Sequence, residues 1–260
     1  MIAHDLLQLL SLNWEIIALF FLIAILYSSV GFGGGSSYLA VMALSSLAFT
    51  QIRAIALICN IVVVSGATYI YFKNNLFVWK KIIPLTVASV PFAFVGGYLR
   101  ISQTFFFILL GITLLVAATL MWTSKYIAAK GKHLDLKNSS AKNVSYGAGI
   151  GFISGMVGIG GGIFLAPFLH LTKWDNPKRI AATSSFFILV NSIAGLTGQY
   201  LNPNFSIEPA ITLILMVTVF TGGQIGSRLS VRLISPLKLK KATALLIAFV
   251  ALRILWKHLI

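Results

Sequence analysis

Charged side chains are missing from long stretches of this chain, and the stretches have the length of membrane crossings. None stands between Glu15 and Arg53, and none occurs within 54–72, 82–99, 101–124, 143–172, 180–207 or 209–227. About 20 apolar residues at roughly 1.5 Å rise each span the hydrocarbon core of a bilayer, so most of these runs suffice. The pattern predicts long helices near 54–72, 82–99 and 103–124, and again near 180–201, 209–227 and 242–256. A first helix opens near Trp14. The N-terminal MIAHDLLQLL has no basic region, so this helix reads as part of the mature chain and not as a cleaved signal.

The pattern repeats itself. Val30-Gly31-Phe32-Gly33-Gly34-Gly35 returns 127 positions later as Val157-Gly158-Ile159-Gly160-Gly161-Gly162. Gly66-Ala67-Thr68 with Tyr71 then matches Gly195-Leu196-Thr197 with Tyr200. Asn75 matches Asn204 and Gly97 matches Gly226, all at an offset of 129, and Trp122 and Trp256 close the halves. The chain divides into a first repeat over 1–124, a basic polar linker over 125–142 that reads as an exposed loop, and a second repeat over 143–260.

Composition sharpens the class. Of 260 residues 58% are hydrophobic and 10% charged, with a mean hydropathy of +0.94. A soluble domain carries about a quarter charged residues. The net charge of +15 would suggest a nucleic-acid partner in a soluble protein. Here 16 of the 20 Lys and Arg fall in four segments, 73–81, 125–142, 173–179 and 228–241, which places them in loops between apolar runs. Lipid is then the expected partner, with no nucleic acid. Putting the four basic segments in the cytoplasm alternates correctly only if each half crosses an odd number of times. Both termini then lie outside, and the halves are inverted relative to each other, as in secondary transporters. The expected architecture is an all-α polytopic membrane protein of two inverted-topology repeats, each a glycine-broken pair of half-length helices plus three transmembrane helices.

The glycine motifs are the candidate chemistry. The segments beside the second, 144–157 and 163–172, are short for a crossing and suggest half-length helices meeting near mid-depth, the alternative being two complete crossings that draw on the glycines for length. Irregular backbone at that depth must be buried or line a cavity. Helices starting near Ser36 and Ile163 would aim free N–H groups and positive dipole ends into it, which suits an anion. Gly33, Gly34, Gly35, Gly160, Gly161 and Gly162 would permit close backbone approach and positive φ. Close helix packing by small residues is the competing explanation. Arg53 and Arg179 occupy similar places in their halves, where snorkelling to the interface is the commoner role and anion steering the alternative. The five acids, Asp5, Glu15, Asp135, Asp175 and Glu208, fall at predicted edges or loops. No metal-ligand cluster, phosphate loop or catalytic triad order is present, so no cofactor and no enzymatic activity are expected.

These features resemble the TauE/SafE sulfite exporter family, also described as toluene-sulfonate-uptake permeases. The residues that carry the resemblance are VGFGGG at 30–35, GMVGIGGGIFLAPFL at 155–169, Ala182-Thr183-Ser184-Ser185, and Gly222 to Gly226 followed by Ser227 and Arg228. The resemblance implies a bacterial inner-membrane transporter of a small organosulfur or sulfur oxyanion substrate, by export or import. A passive anion channel and an accessory membrane subunit are the alternatives, and homodimer formation stays open. Thr183, Ser184 and Ser185 are then candidate ligands, their hydroxyls facing either the cavity or a helix cap or i−4 carbonyl. The first half shows Ala56-Leu57-Ile58-Cys59-Asn60 at this point, so its ligands would be Asn60, Ser36 or Ser37.

Overall fold

The computed structural model describes residues 10–28, 33–45, 47–130, 140–172, 174–229 and 236–259. Helix accounts for 84% of the structure, with no strand among the described residues, which settles the class as all-α. From Trp14 onward the helices are α1 (Trp14–Ser28), α2 (Gly35–Met42), α3 (Phe49–Lys73), α4 (Trp79–Tyr98), α5 (Gln103–Lys130), α6 (Ser140–Val157), α7 (Gly162–Leu171), α8 (Pro177–Tyr200), α9 (Pro209–Leu229) and α10 (Pro236–Leu259). Among the described residues five spans, in α3, α4, α5, α8 and α9, are long and apolar enough to cross a membrane.

The expected pairs of half-length helices need correction. α6 has 18 residues and α7 has 10, so the arms measure about 27 and about 15 Å. In the first half α1 has 15 residues and α2 has 8. Each glycine break therefore joins a long arm to a short one. The polar residues Ser140 to Asn143 extend α6 beyond its apolar run, so apolar length alone undercounts this helix. The same effect narrows the expected linker. The sequence Lys125 to Lys130 is rich in helix formers and continues α5, and helix resumes at Ser140. Residues 131–139 of the linker, and Val30, Gly31 and Phe32 of the first motif, lie outside the described residues.

Helix directions follow from the contacts. Gly147, Gly151 and Gly155 of α6 abut the carbonyls of Leu85, Ser89 and Ala93 of α4, so these two run parallel. Gly222 and Gly226 of α9 meet the carbonyls of Phe21 and Ile25 of α1 in the same sense. At one end of the bundle Lys81 Nζ reaches Asp175 Oδ2 at 2.7 Å, donates to the Trp174 carbonyl at 3.2 Å and sits 4.9 Å over the Trp174 ring. This fastens the α3–α4 turn to the α7–α8 turn. Burial raises the Asp175 pKa, but the Lys81 hydrogen bond, the Asn176 N–H and the charges of Lys81 and Arg179 outweigh it, leaving the carboxyl below its ordinary value. At the opposite end Asn202 Nδ2 donates to the Tyr98 carbonyl at 3.1 Å, and the Thr50 and Ser206 hydroxyls meet at 3.1 Å.

From these anchors, α6 and α7 form a hairpin that begins and finishes at the Lys81 end. The α1–α2 hairpin begins and finishes at the Asn202 end. Packing is reciprocal between the first five helices and the last five: α4 with α6 and α9 with α1, α4 with α8 and α9 with α3, α5 with α7 and α10 with α2. The perimeter is apolar, with Val87, Phe92, Ile112, Leu213, Val217 and Phe249 all exposed, and Trp14, Trp79 and Trp256 stand exposed near helix ends as interfacial aromatics do.

Because lipid tails are as apolar as Leu, burial of apolar surface does little to hold such helices together, and close approach must do it. A Cβ on Gly155 would overlap the Ala93 carbonyl, whereas one on Gly149 meets nothing within 4 Å. Gly155→Val is expected to destabilise by at least the roughly 1–3 kcal/mol of ordinary overpacking. Gly149→Ala should leave stability unchanged or raise it by about 0.5–1 kcal/mol. Thermal unfolding of the two variants in one detergent checks the contrast, and equal midpoints would refute the tight α4–α6 contact.

Candidate functional site

Asn60 sits at the middle of α3 and is fully buried. Its Nδ2 donates to the Ile159 carbonyl at 2.9 Å, within the second glycine motif. Gly33 and Gly35 of the first motif and Gly160 of the second lie so close that a Cβ on any of them would run into the Asn60 amide. The two glycine breaks, 127 residues apart in sequence, thus meet across one side chain.

Backbone geometry explains the glycines. Gly34 (φ 87°) immediately precedes α2, and Gly161 (φ 82°) precedes α7; Gly158 and Gly160 are also left-handed at 88° and 78°. Non-glycine residues rarely adopt these angles. Helical bonding starts with Ser37 N and Tyr38 N donating to the Gly34 carbonyl, and with Phe164 N and Leu165 N donating to that of Gly161. The helices begin one residue earlier than expected, at Gly35 and Gly162, and their leading N–H groups and dipole ends are directed toward the glycine breaks.

The other candidates are distributed unevenly. Gly34 faces Tyr38 and Ile23, Gly161 faces Phe187 and Ser154, and Gly162 faces Ile188. Ser36 and Ser37 are buried in the first turn of α2, with the Ser37 hydroxyl 2.6 Å from that of Tyr27. Thr183, Ser184 and Ser185 are buried but are not at a helix start. The cap of α8 is Asn176, whose Oδ1 accepts the Arg179 N–H at 2.9 Å, and Pro177 opens the helix, so the triplet lies across the second and third turns. Ser185 donates to the Ala181 carbonyl at 3.0 Å, the back-bonding alternative. Thr183 Oγ1 and Ser184 Oγ have no protein partner; they stand one turn before Phe187 and Ile188, the residues that touch the second motif.

Several buried polar groups near the motifs escaped the sequence reading. Ser192 Oγ is packed against Gly160 and Ser154 against Gly161, both hydroxyls without a partner. Asn191 Nδ2 bonds the Ser89 hydroxyl at 2.9 Å and the Phe187 carbonyl at 2.8 Å, while its Oδ1, like Asn60 Oδ1, has no partner. The available signal was Asn191-Ser192 in the middle of a charge-free run, where polar side chains are costly and need a reason. Among the described residues no three His, Cys, Asp or Glu side chains stand together as metal ligands would.

The arginines differ from expectation. Arg179 is partly exposed and pairs with Asp175 at 3.6 Å. Arg53 does not snorkel: it is 4% exposed, and the second glycine turn at Gly158 packs on its backbone.

The Asn60 junction carries a quantitative expectation. Asn60→Ala leaves the buried Ile159 carbonyl without its donor, a cost of about 1–3 kcal/mol. Asn60→Asp, which cannot donate when ionised, should cost more. Denaturation midpoints of both variants measure this, and an unchanged Asn60→Ala midpoint would remove the junction from the structural core.

Comparison with known proteins matches this architecture to one family. The sulfite exporter TauE/SafE family model matches residues 16–254. A probable membrane transporter protein, y4hK, of Sinorhizobium fredii is 30% identical over 239 residues, covering 91% of this chain and 96% of its own. A probable membrane transporter protein of Bacillus subtilis, YunE, is 26% identical, covering 78% of this chain and 83% of its own. An undecaprenyl-diphosphatase of Desulfatibacillum aliphaticivorans is 26% identical over 53% of this chain and 51% of its own. No solved structure matches the chain. Helices built for a bilayer and a match across nearly all of their length make one conclusion: this chain is a multi-pass membrane protein belonging to the TauE/SafE family of membrane transporters.

Proposed function

We propose that the chain is a secondary transporter that carries a small sulfur-containing anion, such as sulfite or a sulfonate, across the bacterial inner membrane, and that it is not an enzyme. The anion binds at mid-depth beside the two glycine breaks. The observation that carries this reading is their meeting at Asn60, halfway along the longest candidate span. Two helix N-termini directed there favour negative charge, and nearby hydroxyls without protein partners, those of Ser192, Ser184 and Thr183, can donate to it. The two hairpins entering from opposite ends, with reciprocal packing of five helices against five, support an inverted repeat. Movement of one repeat against the other would expose the site alternately to each side.

Flux of radiolabelled sulfite into proteoliposomes tests the reading. Wild-type protein should give uptake that unlabelled sulfonates suppress. Gly160→Val, strained at φ 78° and colliding with Asn60 and Ser192, should lower the rate per folded molecule at least tenfold, while Gly149→Ala stays near wild type. Absence of flux, or a Gly160→Val rate equal to wild type, would sink the proposal. Unitary current steps in planar bilayers would replace it with a channel, and phosphate release from a lipid diphosphate with a hydrolase.

The orientation has its own test. With the basic turns in the cytoplasm, the Lys81–Asp175 end faces inward and the Asn202 end outward. A reporter active only in the periplasm should give signal when fused after Ile260 and none when inserted within 131–139. The reverse result would invert the assignment.

A further inference from the structure

A second polar feature lies away from the glycine breaks. Arg53, Arg100, Gln199, Asn202 and Asn204, with Phe205 among the apolar residues, line a cleft at the Asn202 end of the bundle. The space within it, open solvent included, is about 320 Å³. Arg53 Nε and Nη2 and Gln199 Nε2 are buried without a hydrogen-bond partner, and all three are donors. No acid lines the cleft; Glu208, the acid of the neighbouring loop, is exposed and outside the lining. The frame is already committed: Asn202 gives its amide to the Tyr98 carbonyl and accepts the Asn204 N–H at 3.0 Å.

A buried guanidinium without a counterion is costly, and its fork suits the paired oxygens of an oxyanion. We propose that this cleft binds a small oxyanion of the sulfonate or sulfite class, with Arg53 as the charge partner, Gln199 as a second donor and Arg100 at the rim, and that it is the outer waiting site for the transported anion. The role in transport rests on the function proposed above; the binding does not. Its position favours that role. Arg53 is seven residues before Asn60 on α3, two turns and about 10 Å away along the helix, on a similar face. The Arg53 backbone also supports Gly158, where the second break begins. The corresponding helix of the second half offers no such group, since Arg179 is already paired with Asp175.

The experiment measures thermal stabilisation of lipid-free protein in neutral detergent by sulfite and by methanesulfonate, against chloride at equal ionic strength. Wild type should show a saturable rise in midpoint. Arg53→Gln should require at least tenfold more anion, since a hydrogen bond to a charged group is worth about 1.5–3 kcal/mol. Without anion its midpoint should equal or exceed that of wild type, which a purely structural arginine would not allow. Gln199→Leu and Arg100→Gln provide variants should Arg53→Gln fail to fold, each with a several-fold weaker response. Gly149→Ala, away from both the cleft and the glycine breaks, should retain the response. The proposal is overturned if the cleft variants respond like wild type, if Asn60→Ala alone loses the response, or if anionic phospholipid stabilises in an Arg53-dependent way where the small anions do not. A retained response without flux in proteoliposomes would leave the cleft standing and remove its transport role.

Discussion

The hydrogen bond from Asn60 to the Ile159 carbonyl resolves a conflict that the fold creates for itself. Breaking a helix inside a bilayer frees backbone groups where no water can receive them, and each left unmade costs several kcal/mol. At the second break the Ile159 carbonyl is such a group, and an amide side chain from the centre of α3 supplies the donor. The same amide fills the space left by Gly33, Gly35 and Gly160. Larger residues at those positions would push the breaks away from Asn60, so the glycines and the asparagine act together. Asn60 satisfies the second break by its hydrogen bond and meets the first by packing alone.

The remaining architecture brings the breaks to that depth and holds them there. α6 is drawn against α4 by Gly147, Gly151 and Gly155, one per turn and each against a backbone carbonyl. α9 meets α1 through Gly222 and Gly226 in the same way. Small residues at fourfold spacing thus orient the long arm of each hairpin, and the long arm fixes the height at which the chain turns back. Glycine serves two structural ends at different positions. Those at 147, 151, 155, 222 and 226 pack helices, whereas those at 34, 158, 160 and 161 turn the chain through angles other residues avoid.

Much of the fold was legible because the bilayer imposes a coarse rule on sequence: a run free of charge and about 20 residues long is a span. The six long helices fell where the runs predicted, with ends moved by a few residues, as at Asn176-Pro177. What failed was length judged from apolarity alone, since Ser140 to Asn143 continue α6. The candidate site was legible where a residue type has a backbone consequence, as with Gly34 and Gly161, and where one half points to a place in the other, as with Asn60 opposite the Thr-Ser stretch. It was obscured where three-dimensional context decides. Arg53 and Arg179 look equivalent in sequence, yet Arg179 meets Asp175 while Arg53 is buried with Gly158 packed on its backbone. Ser185 differs from its neighbours because its hydroxyl is spent on the turn below.

Symmetry of sequence and asymmetry of charge have a physical relation here. Two hairpins entering from opposite ends make the central packing nearly reciprocal, so the backbone treats the two sides of a membrane alike. Side chains do not. At the Lys81 end Lys81 and Arg179 find Asp175, and Lys81 also finds an indole ring and the Trp174 carbonyl. At the Asn202 end a guanidinium is enclosed without a counterion beside the unpartnered Gln199 amide nitrogen and the Asn202 amide, whose bonds are already made. For the anion proposed above, the reciprocal packing of the backbone would set no preferred direction. In that proposal the two ends would load negative charge at different thresholds, and the difference rests on Arg53.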